Sequence, residues 1–103
     1  MKEGYSLSRS RRVYPRFKVD SFGFLKREGV VLPILIRDIS SQGAGVISKM
    51  SLERGALVEV SGDLSLFNFY LSTQGRVVYC LRETENLFRM GIDFGFRKIV
   101  LAR

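Results

Sequence analysis

Residues 30–43 read Val30-Val31-Leu32-Pro33-Ile34-Leu35-Ile36-Arg37-Asp38-Ile39-Ser40-Ser41-Gln42-Gly43. Leu32, Ile34 and Ile36 recur every second residue, so an extended chain sets all three on one face. Pro33 has no N–H to give to a ladder, which predicts an edge position or a bulge. The apolar run then stops at a polar stretch. In an extended chain Asp38 and Ser40 point to one side and Ile39 into the protein. Gly43 permits a positive φ and a close backbone approach to a ligand.

The same alternation extends in both directions and starts at Phe17. Residues 44–48 and 57–60 form short apolar segments. Phe67, Phe69 and Leu71 alternate with Asn68 and Tyr70. Val77 and Tyr79 follow Gly75, and at this spacing Tyr79 is expected to fill core. Phe88, Met90, Ile92 and Phe94 alternate with Arg89, Gly91 and Asp93. Turn residues recur at Glu28-Gly29, Gln42-Gly43, Arg54-Gly55, Ser61-Gly62-Asp63 and residues 83–86. Six short strands with regular turns predict an all-β fold, a small antiparallel barrel that leaves no open edge. The last residues, 95–103, have room for one or two helical turns at most.

Composition sets the limits. The chain has 103 residues, 46% hydrophobic and 12% aromatic, which suits one domain with one core. The net charge is +7, and most of it lies in residues 1–18, where Lys2, Arg9, Arg11, Arg12, Arg16 and Lys18 stand against Glu3. Residues 1–16 therefore read as a flexible basic arm, and 17–103 as the barrel domain. There is no His, which excludes imidazole catalysis, Ser-His-Asp and Cys-His triads and His-ligated metal. The one Cys excludes an internal disulfide and fits a reducing compartment. The longest apolar run, 30–36, falls far short of the roughly 20 residues a membrane helix needs. No apolar run follows the first residues, so no leader peptide is expected. A cytoplasmic protein without membrane insertion is expected. Asp20, Glu28 and Asp38 have no convincing catalytic partner in sequence, so neither catalytic nor metal-binding residues are assigned and no enzyme is expected.

Two constellations carry chemistry. Arg12 and Arg16 stand in the spacing Arg-x-x-x-Arg. A guanidinium is a planar fork that fits phosphate oxygens, or the O6/N7 edge of guanine, bidentately. Alone, this pair also fits a solvated basic tail. Asp38-x-Ser40-x-x-Gly43 offers a carboxylate for the N1 and N2 donors of guanine and a hydroxyl for a phosphate or base edge. Alone, it also fits a polar turn capped by its own side chains.

Taken together, the two motifs resemble those of the PilZ domain family. The resemblance extends through Gly45-Val46 and Gly75-Arg76-Val77-Val78-Tyr79 to Met90-Gly91-Ile92-Asp93-Phe94, roughly residues 9 to 95. It implies a six-stranded antiparallel barrel of PilZ type that binds the bacterial second messenger cyclic di-GMP. By that resemblance Arg12 and Arg16 take guanine edges and phosphates. Asp38, Ser40 and Gly43 hold a guanine against the barrel. Arg11, just before the pair, is placed to stack on a second guanine. No cofactor is implied beyond this ligand. No fused effector is expected in a chain of this length, and its output is expected to pass through a downstream effector protein. Two departures stand out: the family's longer C-terminal helix has little sequence left to form it, and Tyr79 stands near a position where the family often has Trp. Two other functions fit the same residues: a protein-interaction module of PilZ type without a ligand, and a basic barrel that binds single-stranded nucleic acid through stacking aromatics. Most of the eight Phe and four Tyr sit at core-like positions, so no nucleic-acid partner is expected.

Overall fold

A computed structural model describes residues 15–95. Arg11, Arg12 and most of the basic arm lie outside the described residues, as does the segment 96–103 assigned to a short helix. The described chain is six strands and one 3-10 turn: β1 Phe17–Arg27, β2 Val30–Ile39, β3 Gly43–Ser48, β4 Leu57–Leu64, the turn Ser65–Phe67, β5 Phe69–Thr84 and β6 Leu87–Asp93. All pairs are antiparallel, and the order β1-β2-β3-β6-β5-β4 closes on itself as a barrel. The predicted all-β six-stranded barrel is therefore observed. No helix among the described residues is long and apolar enough to cross a membrane.

Alternation decides what faces inward. Leu25, Ile34, Ile36, Ile39, Val46, Val58, Val60, Leu71, Val77, Met90, Ile92 and Phe94 form one core. Each such side chain contributes about 1.5–3 kcal/mol of transfer free energy. The 3-10 turn tucks Phe67 under β1, where its ring meets Phe17 edge to face at 5.2 Å. Pro33 lies beyond the last β2–β3 pair, Ile34 with Ser48, so that part of β2 is paired only with β1. The missing N–H is tolerated there, as predicted.

One expected turn is absent. Ser61-Gly62-Asp63 runs straight through β4. Gly62 serves close packing instead. It pairs with Gly23 of β1, and a Cβ added at Gly62 would meet Ile36 Cδ1 at 2.8 Å. The residue that bends the chain is Asn68, at φ 52° after the 3-10 turn.

Candidate functional site

Two of the barrel's register shifts each turn one side chain outward at the site. In β2 the register against β3 shifts between Ile36 and Asp38. Ile36 is fully buried, and strict alternation would bury Asp38 as well. The shift places Asp38 on the outer surface while Ile39 returns to the core. In β5 the register against β6 shifts between Val77 and Tyr79. Val77 is buried, yet Tyr79 is 39% exposed. The expectation that Tyr79 fills core is thus overturned: the extra residue at Val78 moves the ring to the other face. Bulges commonly re-aim side chains at binding sites in this way.

Beneath these two side chains lies a floor of glycine. Tyr79 pairs with Gly91, Gly91 with Gly45, and Gly45 with Asp38, giving one row across β5, β6, β3 and β2. A Cβ at Gly91 would collide with the Tyr79 ring, and one at Gly45 would lie 3.0 Å from both Asp38 carboxylate oxygens. Only glycine lets the ring and the carboxylate lie down on the sheet. Lys18 of β1 stands opposite Asp38 and extends the row.

Arg16, just ahead of β1, donates from Nη2 to Asp38 Oδ1 at 2.5 Å. Both side chains keep about a third of their surface exposed, 35% and 37%. The rest of the guanidinium fork and Asp38 Oδ2 have no partner among the described residues. The site therefore presents donors and an acceptor side by side, beside an aromatic ring.

Ser40 turns its hydroxyl into its own loop. It is buried, and its Oγ accepts the N–H groups of Gln42 and Gly43, each at 3.2 Å. Its own N–H donates to Gly43 O at 2.8 Å. Asp38 and Ser40 do not share an exposed side, because β2 ends at Ile39 and the chain curls inward. The hydroxyl builds the turn, and the turn carries Gly43 to Asp93 at the rim. Gln42 O accepts the Phe94 N–H at 2.7 Å, which fixes this turn to the end of β6.

These elements enclose a groove of about 280 Å³, lined by Arg16, Ser40, Gln42, Tyr79, Gly91 and Asp93 among others. A larger groove of about 510 Å³ opens beside Gly95. There Lys26 and Arg76 are offset by Glu28, Glu59 and Asp93, which leaves no single charge to attract a ligand. Among the described residues no group of three or more acidic or Cys side chains comes together to hold a metal ion. Sequence reasoning placed Asp38, Ser40 and Gly43 in one locality and the structure brings Arg16 to them. It missed the two floor glycines and the outward ring.

Comparison with known proteins adds three findings. The sequence profile of the PilZ domain matches residues 10–99. The PlzA protein of Borreliella burgdorferi, solved in complex with c-di-GMP, superposes with a TM-score of 0.64 at 25% identity. That match covers 90% of this chain and 38% of PlzA, so the chain spans well under half of that protein. The PilZ domain of YcgR from Escherichia coli, also solved with c-di-GMP, gives a TM-score of 0.64 at 13% identity, over 84% of this chain and 79% of that one. At that identity the likeness speaks for the fold. No curated protein sequence matches.

Proposed function

The chain belongs to the PilZ domain family, and on that premise we propose that it is a receptor for cyclic di-GMP that passes the signal to a partner protein. The observation that carries this reading is the glycine floor beneath Asp38 and Tyr79, with Arg16 already on the carboxylate. A guanine held against the Tyr79 ring and the Asp38 carboxylate, which lie over Gly91 and Gly45, would meet chemistry suited to each of its edges. The Asp38 carboxylate accepts from N1 and N2, and the Arg16 fork donates to O6 and N7 or to a phosphate. The Tyr79 ring offers a π face at one side. Ser40 and Gly43 hold the rim in shape. Arg12 takes phosphate from the segment ahead of Arg16, and Arg11 stacks on the second guanine. The ligand draws that segment against the barrel, and the changed surface is what the partner reads.

Calorimetric titration with cyclic di-GMP, GTP and a short single-stranded oligonucleotide tests the reading. Saturable binding of cyclic di-GMP alone is expected. Binding of the oligonucleotide alone, with a steep salt dependence, would replace this reading with a nucleic-acid-binding one. Silence to all three would make the chain an interaction module without a ligand.

A further inference from the structure

β5 outruns the strand beside it. Its pairing with β4 ends where Arg76 meets Leu57. Two more backbone bonds follow on that side, Gly55 N–H to Val77 O at 2.7 Å and Val77 N–H to Ala56 O at 2.9 Å. Beyond them, among the described residues, β5 runs on to Thr84 paired only with β6. Among the described residues, one edge of this strand is unpaired from residue 78, and such an edge is a template for another extended segment.

The edge faces residues 51–54 across a groove of about 440 Å³. Leu52 and Cys80, both half-buried against the core, give it an apolar floor. Val78 and Leu81 on the strand are 41% and 50% exposed. The facing loop is pinned: Arg27 forks onto Glu53 with bonds of 2.7 and 2.5 Å. That ion pair offsets the one acidic side chain in the groove. Arg54 and Arg82 remain, with no carboxylate partner among the described residues. Arg82 lies over the Phe88 ring at 5.0 Å and donates to Glu85 O, which holds its charge at the rim.

We propose that this groove docks a short extended segment of a partner protein in which apolar and acidic residues alternate, added as a strand to the edge of β5. Backbone bonds supply the affinity, the apolar floor takes every second side chain, and Arg54 and Arg82 select carboxylates. Register shifts at Val77/Tyr79 and Arg82/Thr84 leave a regular edge of residues 79–82. That suits a short guest and discourages open-ended sheet growth. The same charge argument runs against the chain's own ends as occupants. Residues 1–14 hold Lys2, Arg9, Arg11 and Arg12 against Glu3, and residues 96–103 hold Arg97, Lys98 and Arg103. A second copy would bring two basic rims and two chains of net charge +7 together. The docking itself is independent of the nucleotide, although Val78 and Tyr79 wall both grooves.

The test is an amide NMR titration of the full chain with a capped peptide of alternating valine and aspartate, and with its valine–lysine counterpart. Saturable shifts centred on residues 51–54 and 78–84 are expected with the acidic peptide, and affinity at least about tenfold weaker with the basic one. In the double variant Arg54→Glu, Arg82→Glu the preference should reverse. Absent shifts, shifts centred elsewhere, or equal response to both peptides would overturn the proposal. So would concentration-dependent shifts at 78–84 without peptide, which would give the edge to a second copy.

Discussion

Two cross-strand glycine pairs sit in this small barrel, and they do opposite work. Gly23 and Gly62 pair where β1 meets β4. A Cβ on Gly23 would come within van der Waals radii of Ser61 O and of Ile36 Cδ1. This pair faces inward, and what crowds it includes backbone. Gly45 and Gly91 pair where β3 meets β6. What crowds them is the Asp38 carboxylate and the Tyr79 ring, both free ends of side chains on the outer surface. The same residue type in the same kind of pairing closes the core on one wall and clears a platform on the other. Backbone cannot yield cheaply, whereas a side chain can swing away. The first pair is therefore bound to stability and the second to recognition.

Breaking the inner pair has the largest expected effect. Gly23→Ala should destabilise the barrel at or above the upper end of the roughly 1–3 kcal/mol typical of overpacking. Each kcal/mol lowers the melting temperature of a domain this size by about 4–8 °C. Thermal unfolding followed by circular dichroism measures it. A wild-type melting curve would erase the distinction between the two walls.

On the outer wall the expected losses are in affinity. Arg16→Lys keeps the charge and loses the fork, and a good bidentate pair is worth about 1–3 kcal/mol. Cyclic di-GMP binding should weaken by roughly 5- to 150-fold, with the melt unchanged. Lys2→Ala removes an equal charge and should matter much less. Equal effects of the two would mean that the site acts only through net charge.

Gly91→Ala sharpens the contrast with Gly23→Ala. The new methyl displaces the Tyr79 ring, and base–aromatic stacking contributes about 1–3 kcal/mol. Some of that loss can be recovered if the ring finds another pose, so a several-fold weakening in calorimetry is expected. The melt should stay within about 1 kcal/mol of the parent, helped by the smaller backbone entropy cost of alanine in a strand. The double variant with Tyr79→Ala should bind no worse than Tyr79→Ala alone, since both act on one contact.

The smallest effect belongs to the exposed Arg27–Glu53 fork at the end of β1. The guanidinium, and then Glu53's own backbone N–H, hold its carboxyl at about 2 against an ordinary 4.5. The folded value lies below the unfolded one. The pair therefore adds stability above about pH 4.5, and the contribution fades as pH falls through about 2. A carboxyl NMR titration should place the Glu53 midpoint near the lower value. A midpoint at 4.5 would mean that the 51–54 loop is not pinned.

Much of this was legible in the sequence, for a definite reason. A strand with one buried face writes that face at every second residue, so Ile34, Ile36, Met90, Ile92 and Phe94 could be assigned to the core directly. Pro33 announced its unpaired flank by its missing N–H. Arg16, Asp38 and Gly43 were legible as a group through their resemblance to a family pattern. The failures have local physical causes. A register shift adds a single residue and reverses inside and outside beyond it, and alternation alone does not say where that occurs. Tyr79 was consequently placed in the core. Gly62 looked like a turn because glycine in a polar triplet has the same signature whether it bends a chain or lets two strands approach. Ser40 was assigned to the surface because the end of β2, one residue earlier, leaves no mark in the pattern.

The account's central claim is that cyclic di-GMP binds at Asp38 and Tyr79, over the outer glycine pair. One amide NMR titration of the full chain compares both pairs at once. With added cyclic di-GMP, the Gly45 and Gly91 amides should shift in a saturable way, while Gly23 and Gly62 stay in place. Gly45 and Gly91 signals that remain fixed while the nucleotide binds, or that move no more than those of Gly23 and Gly62, would contradict it.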